Sequence, residues 1–177
     1  MPGKPPGEST HTQPRDRITF VNGKLLVRGV AIDAHPDLRE FTRALGEPTR
    51  HKNDEFSYLF DQQGILLLAE PNSERIRVAL IFFNARPNRP QEPKNSFSGL
   101  VEIDGYAIQR DDPMDAINAA IRSCKFNSGI ADTAKAECGP YKLRIAYEPV
   151  TSEGKSDKTA KPRPLITTIS IDFSQQP

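Results

Sequence analysis

Apolar and polar residues alternate along several stretches of this chain, and a period of two predicts strands with one buried and one solvated face. In residues 141–147, Tyr141, Leu143 and Ile145 alternate with charged or small residues, and residues 165–173 repeat the pattern. Residues 76–83 are apolar on both faces at their far end, which predicts a central strand. The other predicted strands lie at 18–21, 24–32 (two short strands around a glycine turn), 56–61, 65–70 and 97–103.

Glycine dipeptides between these strands predict hairpins. Asn-Gly at 22–23 and Asp-Gly at 104–105 tolerate the positive φ angles that a type I′ turn requires, so each predicts a two-residue connection between antiparallel strands. Residues 62–64 and the Gly-Pro pair at 139–140 predict two further turns.

Two helices are predicted between the hairpins. The first spans 36–45, since proline is favoured at the first helical position and Gly46 stops the helix. The second runs from Pro113 to about Ser123, and Asp112 is expected to cap its first turn.

A hairpin followed by a helix occurs twice, which indicates an internal repeat. Residues 25–32 align with 101–108, and the apolar positions of the two helices keep step. Four positions are identical: Gly29, Ala31, Ile32 and Ala44 match the residues at 105, 107, 108 and 120. We therefore predict an α+β fold, an antiparallel β-sheet built from two hairpin–helix–hairpin pseudo-repeats with two helices packed on one face of the sheet. Chance similarity of two hairpin–helix units is the alternative.

The predicted organisation is one compact domain. Residues 1–16 hold four prolines among polar residues and are expected to form a flexible tail, with a proline-rich ligand as the alternative. The first pseudo-repeat is assigned to 17–85 and the second to 97–175. Residues 86–96 hold three prolines, which favours an extended linker between them.

Composition narrows the function classes. The 24 basic and 23 acidic residues leave a net charge of +1, so the chain lacks the broad basic field of nucleic-acid-binding proteins. No apolar run approaches the roughly 20 residues of a membrane span, and residues 1–10 lack the apolar core of a secretory signal. A cytoplasmic location is therefore expected. There, Cys124 and Cys138 are expected to be reduced thiols, with a disulfide as the alternative.

Candidate catalytic and metal-binding residues are few. The histidines are His11, His35 and His51, and no pair has the spacing of a metal site on one helix. Cys124 and Cys138 lack the close pairing of structural zinc sites. We predict no metal, no cofactor and no catalytic group. An enzyme that uses Cys124 with His51 as its base is kept as a minor hypothesis.

Acidic residues cluster around the second hairpin and the start of its helix. The cluster consists of Asp104, Asp111, Asp112 and Asp115. Its ordinary explanation is a turn residue plus carboxylates that complement the helix dipole. The functional alternative is an acidic surface for a basic partner, which Asp54 and Glu55 would extend if a pseudo-twofold axis related the halves.

In format, the chain resembles the immunity proteins that bacteria encode beside secreted or contact-delivered toxins. The features that carry the resemblance are the small size, the hairpin–helix units at 29–45 and 105–121, and the lack of a signal peptide or a catalytic constellation. The resemblance implies a cytoplasmic, non-enzymatic inhibitor that binds a cognate protein toxin and blocks its active or target-binding surface.

The partner-binding residues predicted for this function form two acidic groups. They are Asp111, Asp112 and Asp115, with Asp54 and Glu55 as weaker candidates. We expect charged contacts of this kind to raise the association rate and specificity more than the affinity. The alternative function is a non-catalytic ligand-binding or structural interaction module of a larger bacterial assembly.

Overall fold

The structure is a computed structural model that describes residues 16–129, 132–148 and 164–174. The predicted flexible tail, apart from Asp16, lies outside the described residues. The described part contains two helices, α1 (Leu38–Leu45) and α2 (Met114–Ala120). Its strands are β1 (Arg17–Val21), β2 (Lys24–Val27), β3 (Val30–Ile32), β4 (Arg50–Lys52), β5 (Ser57–Phe60), β6 (Ile65–Ala69), β7 (Ile76–Phe82), β8 (Leu100–Ile103), β9 (Tyr106–Ile108), β10 (Asn127–Ser128), β11 (Thr133–Cys138), β12 (Tyr141–Tyr147) and β13 (Ile166–Asp172).

Five short strands form one sheet in the order β3-β2-β1-β8-β9. The predicted two-residue turns are confirmed: φ is 51° and 71° at residues 22–23, and 54° and 83° at residues 104–105. The pair β1–β8 is parallel, whereas the other pairs of this sheet are antiparallel. Gly99 makes the parallel pair possible, because a Cβ atom there would lie 1.9 Å from the carbonyl oxygen of Asp16.

Eight strands form the second sheet, which is antiparallel throughout, in the order β10-β11-β12-β13-β7-β6-β5-β4. The predicted central position of β7 is confirmed, since it pairs with β6 on one side and with β13 on the other. Strands β4–β7 occupy one half of this sheet and β10–β13 the other half. The α+β class and the mostly antiparallel pairing are therefore as predicted, but there are two sheets where one was expected.

Helix α1 begins at a capping box. The Asp37 carboxylate accepts a hydrogen bond from the Glu40 amide at 3.2 Å, and the Glu40 carboxylate accepts one from the Asp37 amide at 3.2 Å. Phe41, Ala44 and Leu45 are buried, and Gly46 follows the helix with φ of 87°. Pro36 thus precedes the helix, which starts at Leu38, two residues later than predicted.

The predicted cap of α2 is wrong. Pro113 is the N-cap residue and makes no side-chain cap hydrogen bond. Asp112 instead folds back onto the preceding turn, where its carboxylate accepts hydrogen bonds from the Tyr106 hydroxyl at 2.8 Å and the Gln109 amide at 2.7 Å.

One continuous hydrophobic core joins the two sheets and both helices. Its members come from the five-stranded sheet (for example Phe20), from the helices (Phe41, Ile117) and from the eight-stranded sheet (Ile81, Ile145). A smaller cluster of Leu59, Leu66 and Phe82 lies on the opposite face of the eight-stranded sheet, so the β5–β7 half is apolar on both faces.

The proline-rich segment 86–96 is folded into turns and is not extended. The amide of Arg89 donates to the carbonyl of Arg86 at 2.9 Å, and the amide of Glu92 donates to the carbonyl of Arg89 at 3.0 Å. The buried Glu92 carboxylate accepts hydrogen bonds from the Arg86 guanidinium and amide. Burial raises the pKa of Glu92, but these bonds outweigh burial and leave the pKa below its usual value.

Arg50 fastens this segment to the eight-stranded sheet. Its guanidinium donates to the buried Asp61 carboxylate at 2.7 Å and 2.5 Å, and to the backbone carbonyls of Pro90 and Glu92. The hydrogen bonds from Arg50 hold the pKa of Asp61 below its usual range, against the opposing effect of burial. The bidentate pair therefore stabilises both a strand and the segment that covers it.

Cys124 and Cys138 form a disulfide, so the expectation of reduced thiols is wrong. Both residues are buried, and their Cα atoms lie 5.0 Å apart. Residues 133–138 form β11, a strand that the sequence analysis did not predict, and β11 turns Ala134, Ala136 and Cys138 toward the core. The cysteine that follows α2 then faces the end of that strand.

Reduction of this disulfide should destabilise the protein. The cysteines are 14 residues apart, and closing a loop of that length is worth about 3 kcal/mol. We expect reductant to lower the free energy of unfolding by about that amount in urea titrations. A Cys124→Ala/Cys138→Ala variant should show a similar loss and no response to reductant. Equal stabilities of the oxidised and reduced protein, with reduction verified by mass spectrometry, would contradict this prediction.

The Arg50–Asp61 pair should make stability depend on acid pH. Because the pKa of Asp61 is lowered in the folded state, its contribution is complete above the unfolded pKa of about 3.9 and is lost as pH falls through the folded value. We expect Asp61→Asn to cost about 2 kcal/mol at neutral pH and to flatten the stability profile below about pH 4. The control is Asp54→Asn, at an exposed carboxylate in the β4–β5 turn. Parallel pH profiles for the wild type and Asp61→Asn would refute the assignment.

Candidate functional site

The predicted acidic residues near α2 have different roles in the structure. Asp104 lies in the β8–β9 turn and accepts hydrogen bonds from the amides of Arg122 and Ser123 at 2.8 Å and 2.7 Å, which lower its pKa despite some burial. Asp112 is half-buried and hydrogen-bonded, as described above. Asp111 and Asp115 are exposed. Hydrogen bonds therefore account for Asp104 and Asp112, and the position of Asp115 in the first turn of α2 agrees with the helix-dipole explanation.

A half-buried tyrosine, Tyr147, lies beside this acidic group. The Tyr147 hydroxyl is buried and makes no hydrogen bond within the described residues. Burial, with a smaller contribution from the carboxylates of Asp112 and Asp115, raises the pKa of Tyr147 to about 12. The phenol is consequently neutral at physiological pH and serves as part of the packing beneath the acidic surface.

Asp54 and Glu55 lie far along the fold from α2. They occupy the β4–β5 turn, where Glu55 pairs with Lys52 at 3.3 Å. This turn precedes Ser57. Across the eight-stranded sheet, Ser57 lies in line with Leu68, Val78 and Asp172, and Asp172 is the last residue of β13. The segment before α2 meets the other end, since the amide at the start of β13 donates to the carbonyl of Arg110. The structure does not bring the two acidic groups together.

A second surface, which sequence reasoning missed, is the outer face of the eight-stranded sheet. On β12, Lys142 and Arg144 point away from the core and alternate with the buried Leu143 and Ile145. We call this surface the concave face. It surrounds a concave region of about 810 Å³, lined chiefly by Leu68, Val78, Leu80, Lys135, Lys142 and Arg144.

Two rows of side chains cross the concave face, as the strand registers show. The first row is Lys135, Arg144, Ser170, Leu80 and Leu66, and the second is Glu137, Lys142, Asp172, Val78 and Leu68. Both rows change from charged residues on β11 and β12 to aliphatic residues on β7 and β6. The concave face therefore has a charged half and an apolar half, side by side.

The charges of the two rows are balanced differently. In the second row, Lys142 lies between Glu137 and Asp172, so opposite charges are neighbours. In the first row, Lys135 lies directly opposite Arg144. Neither cation forms an ion pair with a described residue. Like charges at directly opposed strand positions destabilise a sheet, so this pair is a local cost in the unbound protein.

Lys125 stands at the margin of the concave face and has a structural role. Its ammonium donates to the backbone carbonyls of Asn118 and Ile121, the latter at 2.6 Å. These carbonyls lie at the C-terminal end of α2, where a cation is favoured. Lys125 therefore fixes the segment that leads to β10. Lys135, Lys142 and Arg144 are the other cations that line the concave region.

His51 and Cys124, the residues considered for catalysis, both make structural contacts. The His51 ring stacks on Tyr58 with 4.3 Å between ring centroids. Cys124 is bonded to Cys138 and has no thiol to act as a nucleophile in this state, so the minor hypothesis of a Cys124 enzyme loses its reactive group. Among the described residues, no three His, Cys, Asp or Glu side chains lie close enough to hold a metal ion.

Residues 17–118 match the family described as Domain of unknown function (DUF7738), and the chain belongs to that family. The match covers more than half of the chain, from β1 to α2, and so includes all of the five-stranded sheet. No curated protein and no solved structure matches the chain. Neither helix of the described part has the length and apolar content needed to span a bilayer.

Proposed function

We propose that this protein is a binding protein of the immunity type, which neutralises a cognate bacterial toxin by covering its active or target-binding surface. The observation that carries the proposal is the concave face, where a cationic pair and an aliphatic surface stand side by side on a continuous sheet. Exposed apolar patches with polar residues at their rim mark protein interaction sites, and arginine is enriched there. Inhibition of this kind requires a rigid complementary shape and no bond-making residue.

The rigidity of the face supports the proposal. Strands β11, β12, β13 and β7 run through the middle of an antiparallel sheet, their inner side chains belong to the main core, and β11 carries one end of the disulfide. A preformed surface avoids the ordering entropy that a mobile one loses on binding. The concave face can therefore hold a partner without rearranging.

The proposed place of action is an oxidising compartment and not the cytoplasm that the composition suggested. Disulfides persist in secreted proteins and in the bacterial periplasm, and they are rare in the cytosol of mesophiles. The buried Cys124–Cys138 bond therefore favours a toxin that is met outside the cytoplasm.

A co-expression test addresses both parts of the proposal. A toxin-like reading frame beside this gene would be expressed together with this protein, each directed either to the cytoplasm or to the periplasm. We expect survival when both proteins meet in the periplasm, where the disulfide forms, and weaker protection in the cytoplasm. A neighbouring product that is harmless alone, or a toxin that kills equally with and without this protein in both compartments, would end the immunity proposal.

The acidic residues Asp111, Asp112 and Asp115 remain a second proposed contact with the toxin, and their surroundings decide which substitution can test it. Asp112→Lys would remove the hydrogen bonds that the Asp112 carboxylate accepts from Tyr106 and Gln109. A loss of binding in this variant could therefore reflect a loss of folding. Asp115→Lys changes an exposed carboxylate and is the cleaner variant; we expect it to weaken toxin binding severalfold with unchanged unfolding. Asp54→Lys examines the distant pair in the same titration. An unchanged affinity would remove the corresponding residue from the interface.

A ligand-binding module is the second candidate function. The region of about 810 Å³ lies within the range of small-molecule sites. However, the lining extends from β6 to β10, five strand spacings, or about 24 Å. A trough of that breadth fits a protein segment better than a small molecule.

We also propose that the two halves form a structural repeat. After β1, each half has the same order of elements: two strands, a helix and four strands. The first residue of the last strand donates its amide to the segment before the helix in both halves, from Ile76 to Pro36 at 2.8 Å and from Ile166 to Arg110 at 2.7 Å. A superposition of β2–β7 on β8–β13 should therefore align the two halves strand by strand. A register shift between the halves would favour chance similarity.

A further inference from the structure

Lys135 and Arg144 face each other across β11 and β12, and neither forms an ion pair with a described residue. In the neighbouring row, Lys142 lies directly opposite Glu137 and Asp172. In the row of the pair, the residues that continue beyond Arg144 are Ser170 and Leu80, and Glu137 and Asp172 are only its diagonal neighbours. Since opposed like charges lower stability, the pair is explained if an external anion neutralises it. Two adjacent cationic side chains favour an anionic group, and the carboxylate is the anionic group that unmodified protein side chains supply.

The apolar half of the concave face lies next to this cationic pair. Leu80 is in the same row as Arg144, two strands away, while Val78 and Leu68 are in the second row. All three are half-buried on a sheet face where no described element covers them fully. A ligand that reaches both halves must therefore carry carboxylates and aliphatic groups on one side.

The backbone of the concave face offers nothing to pair with. The amides and carbonyls of the interior strands are used in the sheet ladders, so only side chains point toward a ligand. A partner segment must then satisfy its own backbone hydrogen bonds, which a helix does and an extended segment does not. A helix with side chains is about 10–12 Å across and fits a trough about 24 Å wide.

We propose that the concave face receives an acidic amphipathic helix of the partner protein, with carboxylates on Lys135 and Arg144 and aliphatic side chains on Leu68, Val78 and Leu80. This inference rests on the proposed function, which it deepens by naming the chemistry of the partner. The helix would cover the concave face and relieve the repulsion between the two cations.

The test uses a synthetic helical peptide of about 18 residues, or five turns, with leucines along one face and glutamates elsewhere. Its binding to the full chain is followed by fluorescence anisotropy. We expect saturable binding in the micromolar range that weakens with added salt. A peptide with lysines in place of the glutamates, and one with serines in place of the leucines, should each bind at least tenfold more weakly.

Arg144→Glu separates a binding role from a structural one. This substitution places opposite charges across β11 and β12, so we expect a higher urea midpoint together with at least tenfold weaker peptide binding. The matched control is Arg43→Glu, at an exposed residue of α1, which should leave peptide binding unchanged. Equal loss of binding in both variants would show attraction by net charge alone and would overturn the inference.

Other occupants would give different results. Saturable binding of laurate without binding of the acidic peptide would assign the concave face to small anionic amphiphiles. A concentration-dependent dimer in sedimentation experiments that Arg144→Glu dissociates would assign it to a second copy of the chain. Either result overturns the helix proposal while leaving the survival test of the immunity function intact. Conversely, peptide binding without protection from the toxin would refute the function and keep the surface.

Discussion

The parallel pairing of β1 with β8 is the constraint on which the arrangement of the two halves depends. It is the only parallel pair among the described strands, and it joins the first hairpin unit to the second within the five-stranded sheet. Gly99 permits the close approach to Asp16, and the Arg17 guanidinium binds the buried Glu102 carboxylate across the pair, with Nε at 3.0 Å. With the pairing of β7 and β13 in the other sheet, it closes the halves around one core.

That closure determines which surfaces remain for binding. The inner faces of both sheets are buried in the shared core. Segment 86–96 is bound through Arg50 to the β4–β7 side of the eight-stranded sheet. On the eight-stranded sheet, the outer face from β6 to β10 remains, where the side chains are both charged and aliphatic. The proposed binding surface thus results from how the sheets pack and does not belong to any one motif.

Local patterns in the sequence were enough to predict most of the strands. Alternation in 141–147 predicted β12 with its full bounds, and the Asn-Gly and Asp-Gly turns predicted two hairpins, because both signals are local. β11 was missed because its inward residues include two alanines, which give a weak apolar signal, and β4 because it is short and carries Arg50, His51 and Lys52. The second sheet, the disulfide and the opposition of Lys135 and Arg144 depend on strand register, which no local pattern encodes.

The short outermost strands have a consequence for solubility in concentrated solution. A sheet whose last strand leaves free amides and carbonyls can add strands from other molecules without limit. Here one border is the three-residue β4, with a guanidinium, an imidazole and an ammonium in succession, and the other is the two-residue β10. Neither edge strand offers a long, flat, apolar template. The molecule can therefore expose the partly apolar outer face of this sheet and still resist fibre growth through its edges.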